Sequence, residues 1–282
     1  MREDLYAAIK AIPDVELCNA TDKRLVSHML RRFRRSGLDL SEKSDRDLLK
    51  EWKKRIAAMS IEFSATIGED TTSLTFTRAQ LDGLSDNQLS AFEKHGELFV
   101  VTMKYPDYNA VLKYCKVEDT RKAMNLAYSS RCIENGERIV ETLKLRHKCA
   151  TLLKYPDHAS FQLEEKMAKS PAEVMSFLEK ISKRLTPLIE QERLLLLKEK
   201  EAEKGPSPDL TLEAHDFAYY NRIQAEKIGI NEEEISKHFP LTKVLLKMLE
   251  IYERVLCFRF KEIPADHLSW HPDVRLYQVG VS

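Results

Sequence analysis

Apolar residues recur at steps of three and four through most of this chain. Leu49, Trp52, Ile56, Met59 and Phe63 form one such stripe, which predicts a long helix over 42–67 closed by Gly68. A shorter helix is predicted over 21–36, with Thr21 or Asp22 as cap and Gly37 as stop. The pattern changes at 69–77, where Thr71, Thr72, Leu74, Thr75 and Phe76 read as a short strand. Ser85 with Gln88 forms a capping-box signature for a helix to about Lys94. Leu98 to Met103 reads as a second strand, able to pair with the first as a small hairpin-like insertion in a helical body.

Beyond Tyr105-Pro106 the helical period returns, over about 106–115, 118–130 and 133–154. Tyr155-Pro156-Asp157 punctuates, and a short helix runs to Glu165. Ser170-Pro171 places a cap before a proline at the first helical position and starts a helix to about 203. Its stripe is Val174, Phe177, Leu178, Ile181, Leu185, Leu188 and Ile189, and Pro187 predicts a kink or break. Gly205-Pro206-Ser207-Pro208 is the strongest loop signal and suggests a subdomain junction. Helices are predicted at about 209–227, 231–237 and 240–257, then strands at 258–262 and 274–279. The last strand has nothing after it to pair with, and an open edge of that kind suggests a longer natural protein.

Composition supports a mainly α fold with a few short β-strands. Only 8 of 282 residues are Gly, while Glu, Lys, Leu and Ala abound. Lys plus Arg and Asp plus Glu both total 45, so the net charge is zero. That balance argues against nucleic acid as a partner. The run Arg31-Arg32-Phe33-Arg34-Arg35 reads as a solvated or domain-facing helix end. Five widely spaced cysteines, Cys18, Cys115, Cys132, Cys149 and Cys257, read as reduced thiols. No apolar run reaches the roughly 20 residues of a membrane span. A cytoplasmic location is the expectation.

Candidate chemistry is sparse. HExxH, GxSxG, the P-loop pattern and GxGxxG are all absent from the sequence. His267 and His271 are four apart but lack the glutamate of a zincin, and Pro264 and Pro272 bracket them. They are expected as loop histidines. His147 and Cys149 point about 200° apart on a helix, so Cys149 reads as a core residue. Glu164 and Glu165, like Glu232, Glu233 and Glu234, read as solvated faces. Tyr219 and Tyr220 near Asp216, with Tyr105, Tyr155 and Tyr252, suit packing more than the lining of a peptide channel.

Several segments carry a family resemblance. They are Lys-Tyr-Pro-Asp-Tyr (104–108), Thr-Arg-Lys-Ala-Met (120–124) and Ser-Arg-Cys-Ile-Glu-Asn (130–135). Leu-Arg-His-Lys-Cys-Ala-Thr-Leu-Leu (145–153) and His-Ala-Ser-Phe-Gln-Leu-Glu-Glu-Lys-Met-Ala-Lys-Ser-Pro (158–171) follow. In this order they resemble the helical region of the thimet oligopeptidase and neurolysin family of zinc metallopeptidases. His215-Asp216-Phe217-Ala218-Tyr219-Tyr220 resembles that family's Trp-Asp-x-x-Tyr-Tyr segment, with His215 in the Trp position.

The resemblance covers nearly the whole chain and implies a multi-helical, zincin-type oligopeptidase segment. It implies a helical domain over 1–204 with a small β insertion near 70–103. It further implies a helical segment over 209–282 leading into the first strand of a catalytic sheet that the sequence lacks. The implied activity is zinc-dependent hydrolysis of short peptides, with this chain supplying channel walls. No catalytic, cofactor-binding or metal-ligating position matches the family's motifs. The expectation is therefore a fragment that binds no zinc and is inactive alone. The alternative is a catalytically dead helical module that binds peptides.

Overall fold

The computed structural model describes residues 2–13, 19–265 and 268–281. It divides into two compact units, Met1–Asn221 and Arg222–Ser282. The first unit opens with α1 (Glu3–Lys10), α2 (Ala20–Ser36) and α3 (Lys43–Glu69). Asn19, rather than the predicted Thr21 or Asp22, closes the N-terminus of α2 by accepting from the Asp22 N–H at 2.9 Å. Gly37 ends α2 in the left-handed conformation, as its position predicts. Gly68 does not stop α3. It lies within the helix, which runs on to Glu69, because a glycine lowers helix propensity without removing a hydrogen bond.

A three-stranded antiparallel sheet follows, in the order β1 (Ser73–Phe76), β3 (Leu98–Thr102), β2 (Glu93–His95). The predicted pairing of β1 with β3 is present, with Phe76 opposite Phe99 and Ser73 opposite Thr102. The capping box of Ser85 and Gln88 also forms, but its helix α4 ends at Ser90 rather than Lys94. Residues 93–95 turn back through Gly96 and add β2 to the free edge of β3. The gain in ladder hydrogen bonds overrides the weak helical preference of so short a run.

Helices α5 (Tyr105–Tyr114), α6 (Glu118–Ser130), α7 (Asn135–Leu152) and α8 (His158–Leu163) come next. Phe76, Leu81, Leu84, Leu89, Phe92, Phe99, Val101 and Met103 pack with Val111, Leu112, Cys115 and Met124 into the main core. A second cluster joins Leu49 of α3 to Cys149 and Leu153, so Cys149 is the core residue its spacing predicts. Helices α3 and α7 run antiparallel, with Arg55 beside Glu141 and Phe63 beside Asn135. Arg34 and Arg35 of α2 both reach Glu164, which also accepts from Tyr155 at 2.6 Å. Glu164 is therefore not the solvated carboxylate expected of it; it ties the basic end of α2 to the end of α8.

Helix α9 (Pro171–Lys204) is a single 34-residue element. Ser170 caps it and Pro171 starts it, as predicted. Pro187 does not break it. Its ring removes one N–H donor, and the helical bonds on either side carry the chain past. The stripe of Phe177, Leu178, Ile181, Leu185, Leu188 and Ile189 is exposed in this unit, while Leu196 and Lys200 near the C-terminal end are buried. After Gly205 the chain is irregular through 216 rather than helical from 209.

Helix α10 (Phe217–Lys227) carries the chain from the first unit into the second. The second unit then contains α11 (Glu232–Ser236), α12 (Leu241–Leu256), β4 (Phe258–Ile263) and β5 (Leu276–Val281). The last strand is not left unpaired. It folds back on β4 antiparallel, with Phe258 opposite Val281 and Ile263 opposite Leu276. His267 lies outside the described residues, and His271 is exposed. Cys115, Cys132, Cys149 and Cys257 form no disulfide, and Cys18 lies outside the described residues.

Gly83 shows how tightly the β insertion is held. It sits at φ 100°, and a side-chain carbon there would stand against the carbonyl oxygen of Tyr114. Gly96 also has positive φ, but no heavy atom lies within 4 Å of such a carbon. Both substitutions strain the backbone, and only the first also displaces packed main chain. Gly83→Ala is expected to destabilise by about 3 kcal/mol and Gly96→Ala by about 1 kcal/mol. Urea denaturation of the two variants compares them directly.

Candidate functional site

Three segments far apart in sequence meet at one buried cluster of charge. The first is the start of α6. Its approach is fixed by the loop before α4: Thr120 Oγ1 donates to the Gln80 carbonyl at 2.8 Å, and Lys116 N–H donates to the Asp82 carbonyl at 2.8 Å. Glu118 sits in the first turn of α6, and Arg121 one turn on. The second segment is the last turn of α9, which carries Lys200 and Lys204. The third is the irregular stretch 213–216 leading into α10.

Arg121 and Asp216 form the centre, and both are fully buried. Arg121 Nη2 donates to Asp216 Oδ1 at 2.9 Å. Nη1 donates to the carbonyls of Cys115 and Lys116 at 2.9 and 3.2 Å, and Nε to that of His215 at 3.3 Å. The guanidinium also lies over the Tyr219 ring, 4.2 Å from its centroid. Lys200 Nζ bridges two carboxylates, at 2.6 Å from Asp216 Oδ2 and 2.9 Å from Glu118 Oε1. Lys204 closes the outer side, 3.3 Å from Glu118 Oε2. The backbone N–H of Glu213 donates to Asp216 Oδ2 at 3.0 Å.

Burial would raise both carboxyls, because it penalises their charged forms. The partners reverse this. Lys200 and Lys204 bring Glu118 down to about 2. Lys200, the Glu213 N–H and Arg121 hold Asp216 below the usual range. Burial would lower Lys200, but Asp216 and Glu118 raise it above its ordinary value. These three shifts all favour the charged forms. Arg121, Lys200 and Lys204 face the carboxylates of Glu118 and Asp216, three basic side chains against two acidic ones.

His215 stands beside this cluster with its ring buried. Its Nε2 has no hydrogen-bond partner, and lies 3.5 Å from Glu118 Oε1 and 3.7 Å from Asp216 Oδ1. Tyr219 and Tyr220 are buried as packing residues, and the Tyr220 hydroxyl is also without a partner. Burial pushes that hydroxyl far above its usual range. Tyr105 and Tyr252 are exposed, and Tyr155 donates to Glu164. Sequence reading assigned none of these residues to a site: His215 and Arg121 entered it only within segments of family resemblance, Asp216 also as a neighbour of the tyrosines, and Glu118 and Lys200 not at all. The one signal was a lysine in line with Leu196 on the packed end of α9, inside a segment that reads as solvated.

Fold and site together define a helical scaffold braced by a buried ion-pair network. The chain belongs to peptidase family M3, whose pattern matches residues 111–282. It is 36% identical to a thimet-like oligopeptidase of Dictyostelium discoideum over 98% of its own length, and to saccharolysin of Saccharomyces cerevisiae over 85%. It is 30% identical to oligopeptidase A of Escherichia coli over 98%. The chain spans 43%, 35% and 43% of these three relatives.

The family implies zinc. Among the described residues, Glu118, His215 and Asp216 form the group whose ligand-type atoms converge, all within 4.8 Å of one another. They do not fit a resident zinc. The Lys200 ammonium already lies between the two carboxylates. A dication there would join three fixed cations facing only two anions.

Two outcomes follow. Arg121→Met leaves Asp216 short of a partner and three carbonyls without their donor. It is expected to cost about 3–5 kcal/mol in a urea titration. The carboxyl of Glu118 lies below its unfolded value of 4.5, so it stabilises above that pH, and the effect fades as pH falls toward 2. The stability gap between wild type and Glu118→Gln, on the order of 2 kcal/mol at pH 6, should shrink steadily below pH 4.5.

Proposed function

We propose that this chain is the helical substrate-channel portion of a zinc-dependent oligopeptidase, with short peptides as its ligands. The observation that carries the reading is a match to peptidase family M3 over residues 111–282 in a chain without HExxH. In this reading residues 1–204 form the helical body, and 209–282 lead toward a catalytic sheet. The zinc, its ligands and the general base lie in the part of the architecture that these residues do not supply. What the chain's own side chains contribute is placement. The buried charges fasten the end of α9 to α6, so that the remaining length of α9 stands as a rigid wall.

Two observations support a wall rather than a chemical centre. The apolar stripe of α9 is exposed from Phe177 to Ile189. The one metal-like cluster among the described residues is filled by a lysine. Free thiols and the absence, among the described residues, of a helix long and apolar enough to cross a membrane suit a cytoplasmic location.

The 282-residue chain is expected to purify with far less than one zinc per molecule and to leave quenched fluorescent peptides uncut. Elemental analysis and a chelator-controlled peptidase assay test this. One zinc per chain together with chelator-sensitive cleavage would sink the proposal.

A further inference from the structure

The cluster beside Lys200 has the donor set of a metal site without the room for one. Glu118, His215 and Asp216 offer two carboxylates and one imidazole within 4.8 Å of one another. The His215 nitrogen is 3.5 and 3.7 Å from the two carboxylates. Ligands held about 2.1 Å from a tetrahedral zinc lie roughly 3.4 Å apart, so these edges match one coordination shell. His215 is 5% exposed, and its Nε2 points at the carboxylates with no partner of its own. A buried imidazole nitrogen left unbonded is costly, and a metal is one group that would bond it. The space is taken, however, by an ammonium that satisfies both carboxylates at 2.6 and 2.9 Å.

We infer that Lys200 is the resident cation of a three-ligand metal cradle built from Glu118, His215 and Asp216. Divalent ions are excluded while that lysine is present, and removing it opens a zinc site. The cradle is rigid because its parts are held from outside. Arg121 orients Asp216, the Glu213 N–H fixes the second oxygen, and Lys204 holds the far side of Glu118. Replacing Lys200 by a small neutral residue removes one positive charge from a point about 3 Å from each carboxylate. It leaves two carboxylates balanced by Arg121 and Lys204 on their outer sides, one imidazole, and a void in which a water could serve as fourth ligand. The inference does not depend on the peptidase reading, because it concerns this chain's own residues.

The test uses the full chain and Zn2+ or Co2+ alone. Lys200→Ala and Lys200→Gln are titrated with Zn2+ by calorimetry, and with Co2+ by ligand-field absorption, beside wild type and Lys200→Arg. The expected result is one ion per chain in both neutral variants, bound at least about 100-fold more tightly than by wild type. Lys200→Arg keeps the cation and should resemble wild type. Adding His215→Ala to either neutral variant should abolish the gain. If Lys200→Ala folds poorly by itself, recovery of its thermal transition by Zn2+ supports the inference equally.

The inference is overturned if neither neutral variant binds better than wild type. It is equally overturned if both remain unfolded with Zn2+ present, or if wild type already binds one ion in a His215-dependent manner. None of these readouts involves peptide cleavage, so a failure here is distinguishable from a failure of the peptidase reading.

Discussion

The pairing of Arg121 with Asp216 inside the first unit is the constraint on which its remaining geometry depends. Neither side chain touches solvent. Each would be expensive to bury alone, so the fold must bring both together and must supply partners for every remaining donor and acceptor. The carbonyls of Cys115, Lys116 and His215 and the ammonium of Lys200 meet that demand. The partners come from α6, from the loop before it, from the end of α9 and from the segment before α10. A buried ion pair is weak as a source of net stability, but it tolerates few alternative arrangements. Here it dictates where four separate stretches of chain must be.

That demand explains why α9 is buried at one end only. Leu196 and Lys200 lie on the face held by the cluster, and the preceding seven turns project their apolar side chains outward. The main core has a different character. Leu81, Val101, Val111 and Met124 are packed by shape and hydrophobicity beneath a three-stranded sheet. Thr120 and Lys116 join the two regimes by hydrogen bonds to the loop over the core.

His215 supplies the one ring nitrogen facing this cluster among the described residues. An imidazole brings either a donor or an acceptor, according to its tautomer. With carboxylate oxygens at 3.5 and 3.7 Å, the Nε2-protonated form is the favourable one, since a lone pair would face negative charge. That donor stands farther from the acceptors than a good hydrogen bond requires.

Most of the helices, the Ser85 and Ser170 caps and strands β1 and β3 were legible in the sequence, because they rest on local chemistry. Ser170 before Pro171, the Ser85–Gln88 box and the stripe from Leu49 to Phe63 act within a few residues of themselves. The family was legible for a similar reason, since its segments are contiguous. The third strand, the closing of β5 on β4 and the burial of Lys200 were decided only by tertiary structure. Two depend on a partner well separated in sequence, Arg259 for Gly280 and Asp216 for Lys200, and the third on a hairpin that sets Glu93 opposite Val100. A lysine in a charged helix end reads as solvated until a carboxylate 16 residues on is folded against it. Local periodicity carries no information about that encounter, because the free energy that buries the charge belongs to the pair.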